Sequence, residues 1–366
     1  MHRIQFNYVL AESRGPAQIR NPLIDLLHAV EDNGSISAAA RQLGFSYRHV
    51  WGELKRWEDE LGHGLIVWEK GQPARLTEFG TKLLWAERQA QARLQAQIDN
   101  LRADLERAYA VAFDDSTHVL SFHASHDDAL SALREQARSQ KLHLDIRFTG
   151  SVDAIRALNE GRCMMAGFHT RLHPARGSLA YRTYRPMLKP GLHKIIGFAR
   201  RTQGLIVAPG NPLQLTGLKD LARGKVRFAN RALGTGTRLL LDELLDEQGI
   251  AAASIRDFDS AEPSHTAVAQ AVAAGQADAG LGIEAAARAR GLDFVPVVEE
   301  QYHLACLKSA LAESGIEALL KLLRSEAWQT TLQGLAGYAP EHCGEVLAMS
   351  GVLPWWRYRT QKHPAT

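Results

Sequence analysis

The sequence predicts an α/β protein with an all-α winged-helix domain at its N-terminus, one long helix after it, and a bilobed α/β domain. Three patterns indicate this fold class. Two helical segments joined by a turn at Gly44 precede two short extended runs. Leucines then recur at a heptad-like spacing without proline. Further on, apolar runs alternate with helical segments, which is typical of a largely parallel sheet. The predicted domains are residues 1–80, 81–113 and 114–366.

The composition is that of a globular protein without a strong charge bias. Of the 366 residues, 45% are hydrophobic and 23% charged, and the formal net charge is +3. So small a charge does not by itself indicate nucleic-acid binding, so the placement of basic residues has to carry that argument. Cys163, Cys306 and Cys343 lack metal-binding spacing and are expected to be reduced thiols. Without a secretory signal or a membrane-length apolar run, the expected location is cytoplasmic, with no membrane partner.

The first 80 residues carry helix signals in the order of a three-helix DNA-binding core. Residues 4–10 alternate in hydrophobicity and predict a short strand before it. Pro22, after a capping Asn21, predicts the start of the first helix. Ser46 can cap the third helix. Apolar residues recur there at three- and four-residue spacing and predict one buried face, formed by Val50, Leu54, Trp57 and Leu61.

The polar face of the third helix and the hairpin that follows it are the predicted DNA contacts. A helix with a basic, polar face fits the DNA major groove, and a hairpin tip of this kind contacts phosphates or the minor groove. Trp51 is expected in the core or in an interface rather than in base readout. The candidate DNA-binding residues are Ser46, Tyr47, Arg48, His49, Lys55, Lys70 and Arg75.

A single helix is expected from Thr77 to about residue 110. A helix this long cannot bury its apolar stripe alone, so we expect it to pair with the same helix of a second chain. The alternative is that it packs on the α/β domain of its own chain. The expected assembly is a homodimer, with a tetramer left open.

The α/β region is expected to form two lobes, one from residues 117–199 and 300–366 and the other from residues 200–299, joined by paired crossing strands. Expected strands are residues 119–123, 144–148, 164–168, 193–199, 204–208, 225–229, 278–283, 294–297 and 302–305. Expected helices begin at residues 127 and 151 and cover 234–248 and much of 308–335.

Two motifs near the N-terminus are specific enough for comparison with known families: Gly34-Ser-Ile-Ser-Ala-Ala-Ala-Arg-Gln-Leu-Gly44-Phe-Ser-Tyr47, and Ala74-Arg75-Leu76-Thr77-Glu78-Phe79-Gly80. They resemble the winged helix-turn-helix of LysR-type and molybdate-responsive transcriptional regulators. Tyr47 and Trp51 look closer to the molybdate-responsive branch. The chain lacks the tandem small oxyanion-binding domains of one branch of those regulators, so that mode of sensing does not carry over.

The α/β region resembles a type II periplasmic-binding-protein-like domain of the molybdate-binding kind over residues 117–335. The matching segments are Ala124-Ser125-His126-Asp127, Arg227-Phe228-Ala229-Asn230-Arg231, Gly234-Thr-Gly-Thr-Arg238 and Ala277-Asp278-Ala279-Gly280-Leu281-Gly282-Ile283. This resemblance implies a bilobed effector domain in which the hydroxyls of Ser125 and Ser151 contact an oxyanion.

Ligands of bilobed α/β domains bind outside the carboxyl ends of strands, where helix N-termini present free N–H groups to an anion. The candidate ligand-binding residues are Ser125, His126, Ser151, His169, Thr235, Thr237, Arg238 and Ile283. Arg238 could compensate the charge of an oxyanion or form a bidentate pair of hydrogen bonds with a carboxylate. The plain alternative is that the serines and threonines only cap helices. Ser264, although part of a Ser-His-Thr run, is expected to cap a helix rather than to act as a nucleophile.

These patterns predict a one-component regulator that binds double-stranded DNA and senses a small oxyanion. Molybdate or tungstate is the first choice of effector. One alternative keeps the regulator and changes the ligand to a small carboxylate or a sulfur oxyanion. A lower-ranked alternative is an enzyme with a DNA-binding appendage. Because no nucleophile–base–orienter set is present in the sequence, we expect no enzyme, and no cofactor is expected. His123 and His126 have no third ligand nearby, so we expect no metal site.

Overall fold

The computed structural model describes residues 21–69, 72–113 and 118–356, without the side chains of residues 110–113. It divides into two compact units, the first ending at Gln95 and the second beginning at Ala96. The strand expected at residues 4–10 lies outside the described residues, as does most of the polar break expected after residue 113. No helix within the described ranges combines the length and apolar character needed to cross a bilayer.

The first unit has the predicted order of three helices, a hairpin and a long helix. Its elements are α1 Pro22–Asn33, α2 Ile36–Leu43, α3 Tyr47–Leu61, β1 Ile66–Val67, β2 Arg75–Leu76 and the first part of α4 Glu78–Phe113. Asn21 and Ser46 cap α1 and α3 as predicted. Gly44 ends α2 with a φ of 73°, a conformation that favours glycine. The predicted all-α winged-helix domain is therefore confirmed.

The core of the first unit is formed by the predicted apolar face of α3 packed on α1 and α2. Val50 and Leu54 are completely buried, and Trp57 and Leu61 pack at the edge of this core. The hairpin joins the core where α4 begins. A Cβ atom on Gly80 would lie 2.4 Å from the Leu65 carbonyl oxygen, so only glycine lets α4 start this close to β1.

The second unit contains one curled sheet with helices on its faces. Its strands are β3 His118–Ala124, β4 Leu142–Phe148, β5 Met165–Arg171, β6 His193–Val207, β7 Phe228–Ala229, β8 Ala279–Ile283, β9 Asp293–Leu307, β10 Tyr338–Ala339 and β11 Val346–Leu347. Its helices after α4 are α5 Asp128–Arg138, α6 Ser151–Asn159, α7 Leu179–Tyr184, α8 Leu218–Leu221, α9 Gly236–Glu247, α10 His265–Ala273, α11 Glu284–Arg288, α12 Ser314–Arg324, α13 Glu326–Gln333 and α14 Met349–Val352. Short 3-10 turns lie at Ala252–Ser254 and Lys308–Ala312.

Two sequence expectations about this sheet were wrong. The strand order is β4-β3-β5-β9-β6-β8-β7, and β9 and β6 pair antiparallel with each other and with their other neighbours, so the sheet is mixed rather than largely parallel. The four strands expected at 193–199, 204–208, 294–297 and 302–305 are two continuous 15-residue strands, β6 and β9. Polar residues in the middle of each strand interrupt the apolar pattern but pair with one another inside the sheet.

The two halves of α4 belong to different units. From Ala96 onward, α4 packs on the α/β domain, where Asp99 and Ala103 are buried. The alternative expectation, that this helix packs on the α/β domain of its own chain, therefore holds for the second half of α4. Leu101 remains 63% exposed on the same helix, and pairing with a second chain stays a prediction.

Candidate functional site

The predicted ligand residues after β3 and β4 meet His169, which lies near the end of β5, at one place in the second unit. Ser125 Oγ lies 3.3 Å from Ser151 Oγ, and Ser151 Oγ lies 3.4 Å from His169 Nδ1. All three side chains are buried. The sequence placed each of them at the carboxyl end of a strand, and the parallel pairing of β4, β3 and β5 brings those ends together.

The two serine hydroxyls do not cap the helices that follow them. Helix α5 is capped by Asp127, whose side chain accepts a hydrogen bond from Ala129 N–H at 2.8 Å. Helix α6 has Gly150 at its cap position and no side-chain cap. The alternative that these serines only cap helices therefore does not account for Ser125 or Ser151.

The N-terminus of α9 faces this serine pair at very short range. A Cβ atom on Gly236 would lie 3.2 Å from Ser151 Oγ and 3.3 Å from His169 Nδ1, and a Cβ atom on Gly150 would lie 2.6 Å from the Gly234 carbonyl oxygen. Glycine at these positions lets the two loops touch.

The two predicted threonines at this helix terminus have different roles. Thr235 caps α9, because its hydroxyl accepts a hydrogen bond from Arg238 N–H at 3.3 Å. Thr237 is buried and accepts a hydrogen bond from Gln203 Nε2 at 2.9 Å, and its hydroxyl lies 3.4 Å from His265 Nε2. His265 opens α10, which Ser264 caps as expected. Thr237 thus faces the polar interior, whereas Thr235 is occupied by the helix backbone.

Three other candidate residues point elsewhere. The Arg238 guanidinium is bound by Asp242, with Nε 3.0 Å from Oδ1, and lies over the ring of Phe258 at 4.4 Å. Ile283 packs in the hydrophobic core. His126 turns away from the serines, with Nε2 3.2 Å from Asp99 Oδ2 on α4. None of the three brings a polar side chain to the serine pair.

Arg231 is the site residue that the sequence analysis missed. It lies just beyond β7, is 2% exposed, and its Nε and Nη1 atoms have no hydrogen-bond partner among the residues that the structure describes. Burial, and then the charge of Arg201, lower the pKa of Arg231 from 12.5 to about 9, although the Glu262 carboxylate raises it. Arg231 is thus a buried cation whose charge Glu262 compensates only in part and whose Nε and Nη1 lack hydrogen bonds to the described residues, so an anion is its natural complement.

Two neutral histidines lie within the electrostatic range of Arg231. Burial and the charges of Arg201 and Arg231 lower the pKa of both His169 and His265 well below 6.5, so neither is charged near pH 7. Within the described part of the chain, His169 Nε2 and His265 Nδ1 have no hydrogen-bond partner. Each neutral ring can still donate one N–H. The pocket therefore offers hydroxyls, imidazoles and one guanidinium.

Arg201, a second buried arginine of this region, is paired with two carboxylates. Its guanidinium binds the carboxylates of Asp127 and Glu300, and Asp127 also accepts a hydrogen bond from Tyr338 Oη at 2.8 Å. Although burial lowers it, the pKa of Arg201 is raised well above 12.5 by Glu300 and Asp127. This network holds Asp127, and with it the loop after β3, in place.

A simple sequence signal for Arg231 existed. The segment Asn230-Arg231 directly follows a strand, as Ser125 does. The same rule that selected Ser125 therefore applied to Arg231. The hydroxyl-rich segment a few residues later has the stronger helix-start signal, so the ligand-binding cation was expected at Arg238.

The predicted DNA-binding residues lie on the first unit, mostly on an exposed surface. Tyr47, Arg48 and His49 are exposed at the start of α3, whereas the Ser46 hydroxyl caps α3 by accepting from His49 N–H at 3.1 Å. Lys55 pairs with Glu58 and lies over the Trp51 ring at 5.2 Å. Arg75 is exposed on β2, and Lys70 lies outside the described residues.

Aromatic side chains surround this surface, a feature that the sequence analysis did not anticipate. Phe45 and Trp68 are more than half exposed, and the rings of Tyr47, Trp51 and Trp68 form a chain of contacts with centroids 6.4 and 6.2 Å apart. Trp51 is half-buried between Tyr47 and Trp68, so it belongs to a surface cluster as well as to the core edge.

Comparison with known families gives separate matches for the helix-turn-helix region and for the α/β region. Residues 23–81 match the LysR family of bacterial regulatory helix-turn-helix proteins. Residues 132–324, more than half of the chain, match the PBP superfamily domain. Both matches agree with a regulator and not with an enzyme, as the sequence predicted.

Individual relatives extend the comparison. The uncharacterized protein YvgK of Bacillus subtilis is 33% identical over 202 residues, which are 55% of this chain and 64% of YvgK, so under two thirds of YvgK is spanned. An uncharacterized protein from the 5′ region of a 2Fe-2S ferredoxin gene of Clostridium pasteurianum is 32% identical over 30% of this chain and 97% of its own length. A cysteine mutant of Corynebacterium glutamicum OxyR is similar with a TM-score of 0.41 and 18% identity, covering 83% of this chain and 92% of that one.

Proposed function

This chain belongs to the PBP superfamily and carries a LysR-type helix-turn-helix, and we propose that it is a one-component transcriptional regulator that senses a small inorganic oxyanion. The α/β domain binds the anion, the first unit binds double-stranded DNA, and anion binding changes the affinity for DNA. Molybdate or tungstate is the proposed effector. The proposed assembly is a homodimer.

The observation that carries the anion proposal is the buried guanidinium of Arg231, whose Nε and Nη1 have no hydrogen-bond partner among the described residues. Its charge acts on His169, which contacts Ser151. Leaving a buried cation without a partner costs several kcal/mol unless a ligand supplies the missing charge. Because His169 and His265 are neutral, they add hydrogen-bond donors without adding repulsion between cations. An oxyanion accepts short hydrogen bonds on every oxygen, and the hydroxyls of Ser125 and Ser151 are suited to donate them.

Size favours an inorganic oxyanion over a larger organic acid. The loops at Gly150 and Gly236 already approach each other to contact distance, so a ligand seated there has to be compact. Molybdate and tungstate place four acceptor oxygens around one centre. Sulfate has the same tetrahedral geometry and formate is smaller still, so the experiment has to separate them.

Calorimetry on the purified chain tests this proposal. Molybdate, tungstate, sulfate and formate are titrated into the wild type and into Ser151→Ala, Arg231→Gln and Arg238→Gln. We expect molybdate and tungstate to bind tightest. Loss of Arg231 should weaken binding by about 100-fold or more, since a charged hydrogen-bond partner contributes roughly 3 kcal/mol. Arg238→Gln is the matched control and should bind like the wild type.

The outcomes separate the ligand classes. If sulfate or formate binds tightest, that anion becomes the proposed effector and the proposed site stays the same. Absence of heat with all four anions would reject the oxyanion proposal, and equal affinity in the wild type and Arg231→Gln would reject the site.

The DNA-binding part of the proposal is tested with duplex from the promoter of the chain's own gene. Binding through exposed cations such as Arg48 and Arg75 releases counterions, so the affinity should fall steeply as salt rises. The Arg48→Ala variant should bind more weakly and with a shallower salt dependence. A wild-type affinity for this duplex that does not depend on salt would contradict the proposed mode of binding.

A further inference from the structure

Two consecutive residues of α4 each contact one of the two serine-bearing loops. Asp99 Oδ2 lies 3.2 Å from His126 Nε2, and His126 directly follows Ser125. Asn100 Oδ1 accepts from Phe148 N–H at 2.6 Å, and Asn100 Nδ2 donates to the Phe148 carbonyl oxygen at 3.2 Å. Phe148 is three residues before Ser151. One turn of α4 thus contacts the chain beside both hydroxyls.

Asn100 makes a two-point hydrogen bond to the backbone of Phe148. Strand β4 is the edge strand of the sheet, so the outer N–H and C=O of Phe148 have no neighbouring strand. The Asn100 side-chain amide replaces that strand with one acceptor and one donor. It therefore fixes the end of β4, from which Thr149 and Gly150 lead into the N-terminus of α6.

The contact between Asp99 and His126 is buried, and it adjoins the contact between Asn100 and Phe148. Both Asp99 and His126 are buried, and the His126 ring packs on the Phe148 ring with centroids 4.7 Å apart. Arg134 Nη2 lies 3.8 Å from Asp99 Oδ1 and adds a charge from α5. Asp99, Asn100, His126 and Phe148 form one cluster, which we call the loop clamp.

We propose that the loop clamp is the positioning element through which anion occupancy acts on α4, and that Asp99 and Asn100 are positioning residues of the effector site. This inference rests on the proposed function. An anion that bridges Ser125 and Ser151 favours one separation of their loops. Because α4 contacts both loops through adjacent residues, that separation favours one placement of this helical segment. The same helix begins at Glu78, within the first unit.

The energetic requirement is modest. A ligand shifts a conformational equilibrium only by its difference in affinity for the two states. Couplings between two sites usually amount to a factor of roughly 5 to 150 in affinity, and they act equally in both directions. DNA binding to the first unit should therefore alter the ligand loops, just as anion binding should alter α4.

A matched pair of variants separates this role from simple support of the fold. Asn100→Ala removes the clamp contact to Phe148. Asn211→Ala removes the same type of contact elsewhere, because Asn211 accepts from Leu215 N–H at 3.0 Å and donates to the Leu215 carbonyl oxygen at 2.9 Å. Asn211 has a φ of +45°, so alanine there is strained as well. Asn211→Ala therefore tests whether general destabilisation alone abolishes the coupling.

Hydrogen–deuterium exchange on the full chain measures the coupling with each ligand alone. Molybdate is added in one arm, with exchange read at residues 96–113. Duplex from the chain's own promoter is added in the other, with exchange read at residues 124–127 and 148–152. In the wild type and in Asn211→Ala, we expect each ligand to change exchange at the distant segment. In Asn100→Ala, both ligands should still bind, with molybdate affinity within about tenfold, and the distant changes should be lost.

The result identifies which proposal fails. Distant changes in Asn100→Ala as large as in the wild type overturn the loop clamp and leave the regulator intact. Loss of the changes in Asn211→Ala as well also overturns it, since general destabilisation would then suffice. If molybdate does not bind, molybdate is rejected as the effector, while the DNA arm still decides the clamp. If neither ligand binds, the proposed regulator fails and the clamp fails with it.

Discussion

Replacing Arg231 by methionine should make the anion-free protein more stable while removing its response to anions. Lowering the pKa of a buried arginine from 12.5 to about 9 corresponds to roughly 5 kcal/mol by which the folded chain disfavours the cation. The sign follows from the direction of this shift. A depressed arginine pKa costs stability fully below about pH 9, and the cost is relieved as pH rises toward 12.5.

Methionine has similar length, carries no charge and removes this cost. Glu262 loses a neighbouring cation but has interactions of its own, so we expect a net gain of roughly 1–4 kcal/mol. For a domain of about 200 residues this raises Tm by about 2–4 °C per kcal/mol. In the wild type, an anion at about 100 times its Kd should add roughly 2.7 kcal/mol.

Differential scanning calorimetry with and without molybdate measures both effects at once. Arg231→Met should unfold at a higher temperature than the anion-free wild type and show no further rise with molybdate. Arg238→Met is the control and should keep the molybdate response. An Arg231→Met protein that is less stable than the anion-free wild type, or that still responds to molybdate, would refute the reasoning.

Three further predictions follow from individual contacts. Anion affinity should be full below about pH 9 and fall by up to tenfold per pH unit above it, because Arg231 loses its proton; calorimetry across this range checks the direction, and a flat profile contradicts it. Gly150→Ala should weaken molybdate binding tenfold or more, because the new Cβ would meet the Gly234 carbonyl at 2.6 Å, whereas Gly52→Ala, with open space around its Cβ, should not. Burial raises the pKa of Cys163 and Cys306 to about 11, so native protein should react with a thiol reagent only as it unfolds, and fast native labelling would contradict this.

Local signals were strong enough to predict the helices of the first unit. Asn21 and Ser46 cap α1 and α3 as their position before an apolar helical pattern predicts. These are interactions within a few residues, and sequence spacing determines them directly. The apolar face with Val50 and Leu54 was predictable for the same reason.

Long-range pairing was not accessible in this way. Polar residues such as Arg201 and Gln203 in the middle of β6 read as a break between two strands, yet they bind Glu300 on the neighbouring β9. Arg231 was missed for a related reason. Its position after a strand made it a candidate, but a charged residue there reads as a surface residue. Only the fold shows that Arg231 is buried, with no hydrogen-bond partner for Nε and Nη1 among the described residues.

The most direct measurement is a crystal structure of the full chain with molybdate, with the metal located by anomalous scattering at its absorption edge. We expect one peak in the second unit, with molybdate oxygens within hydrogen-bond distance of Ser125 Oγ, Ser151 Oγ and the Arg231 guanidinium. A peak that lies away from Arg231, in a protein that calorimetry shows to bind molybdate, would contradict the proposed site.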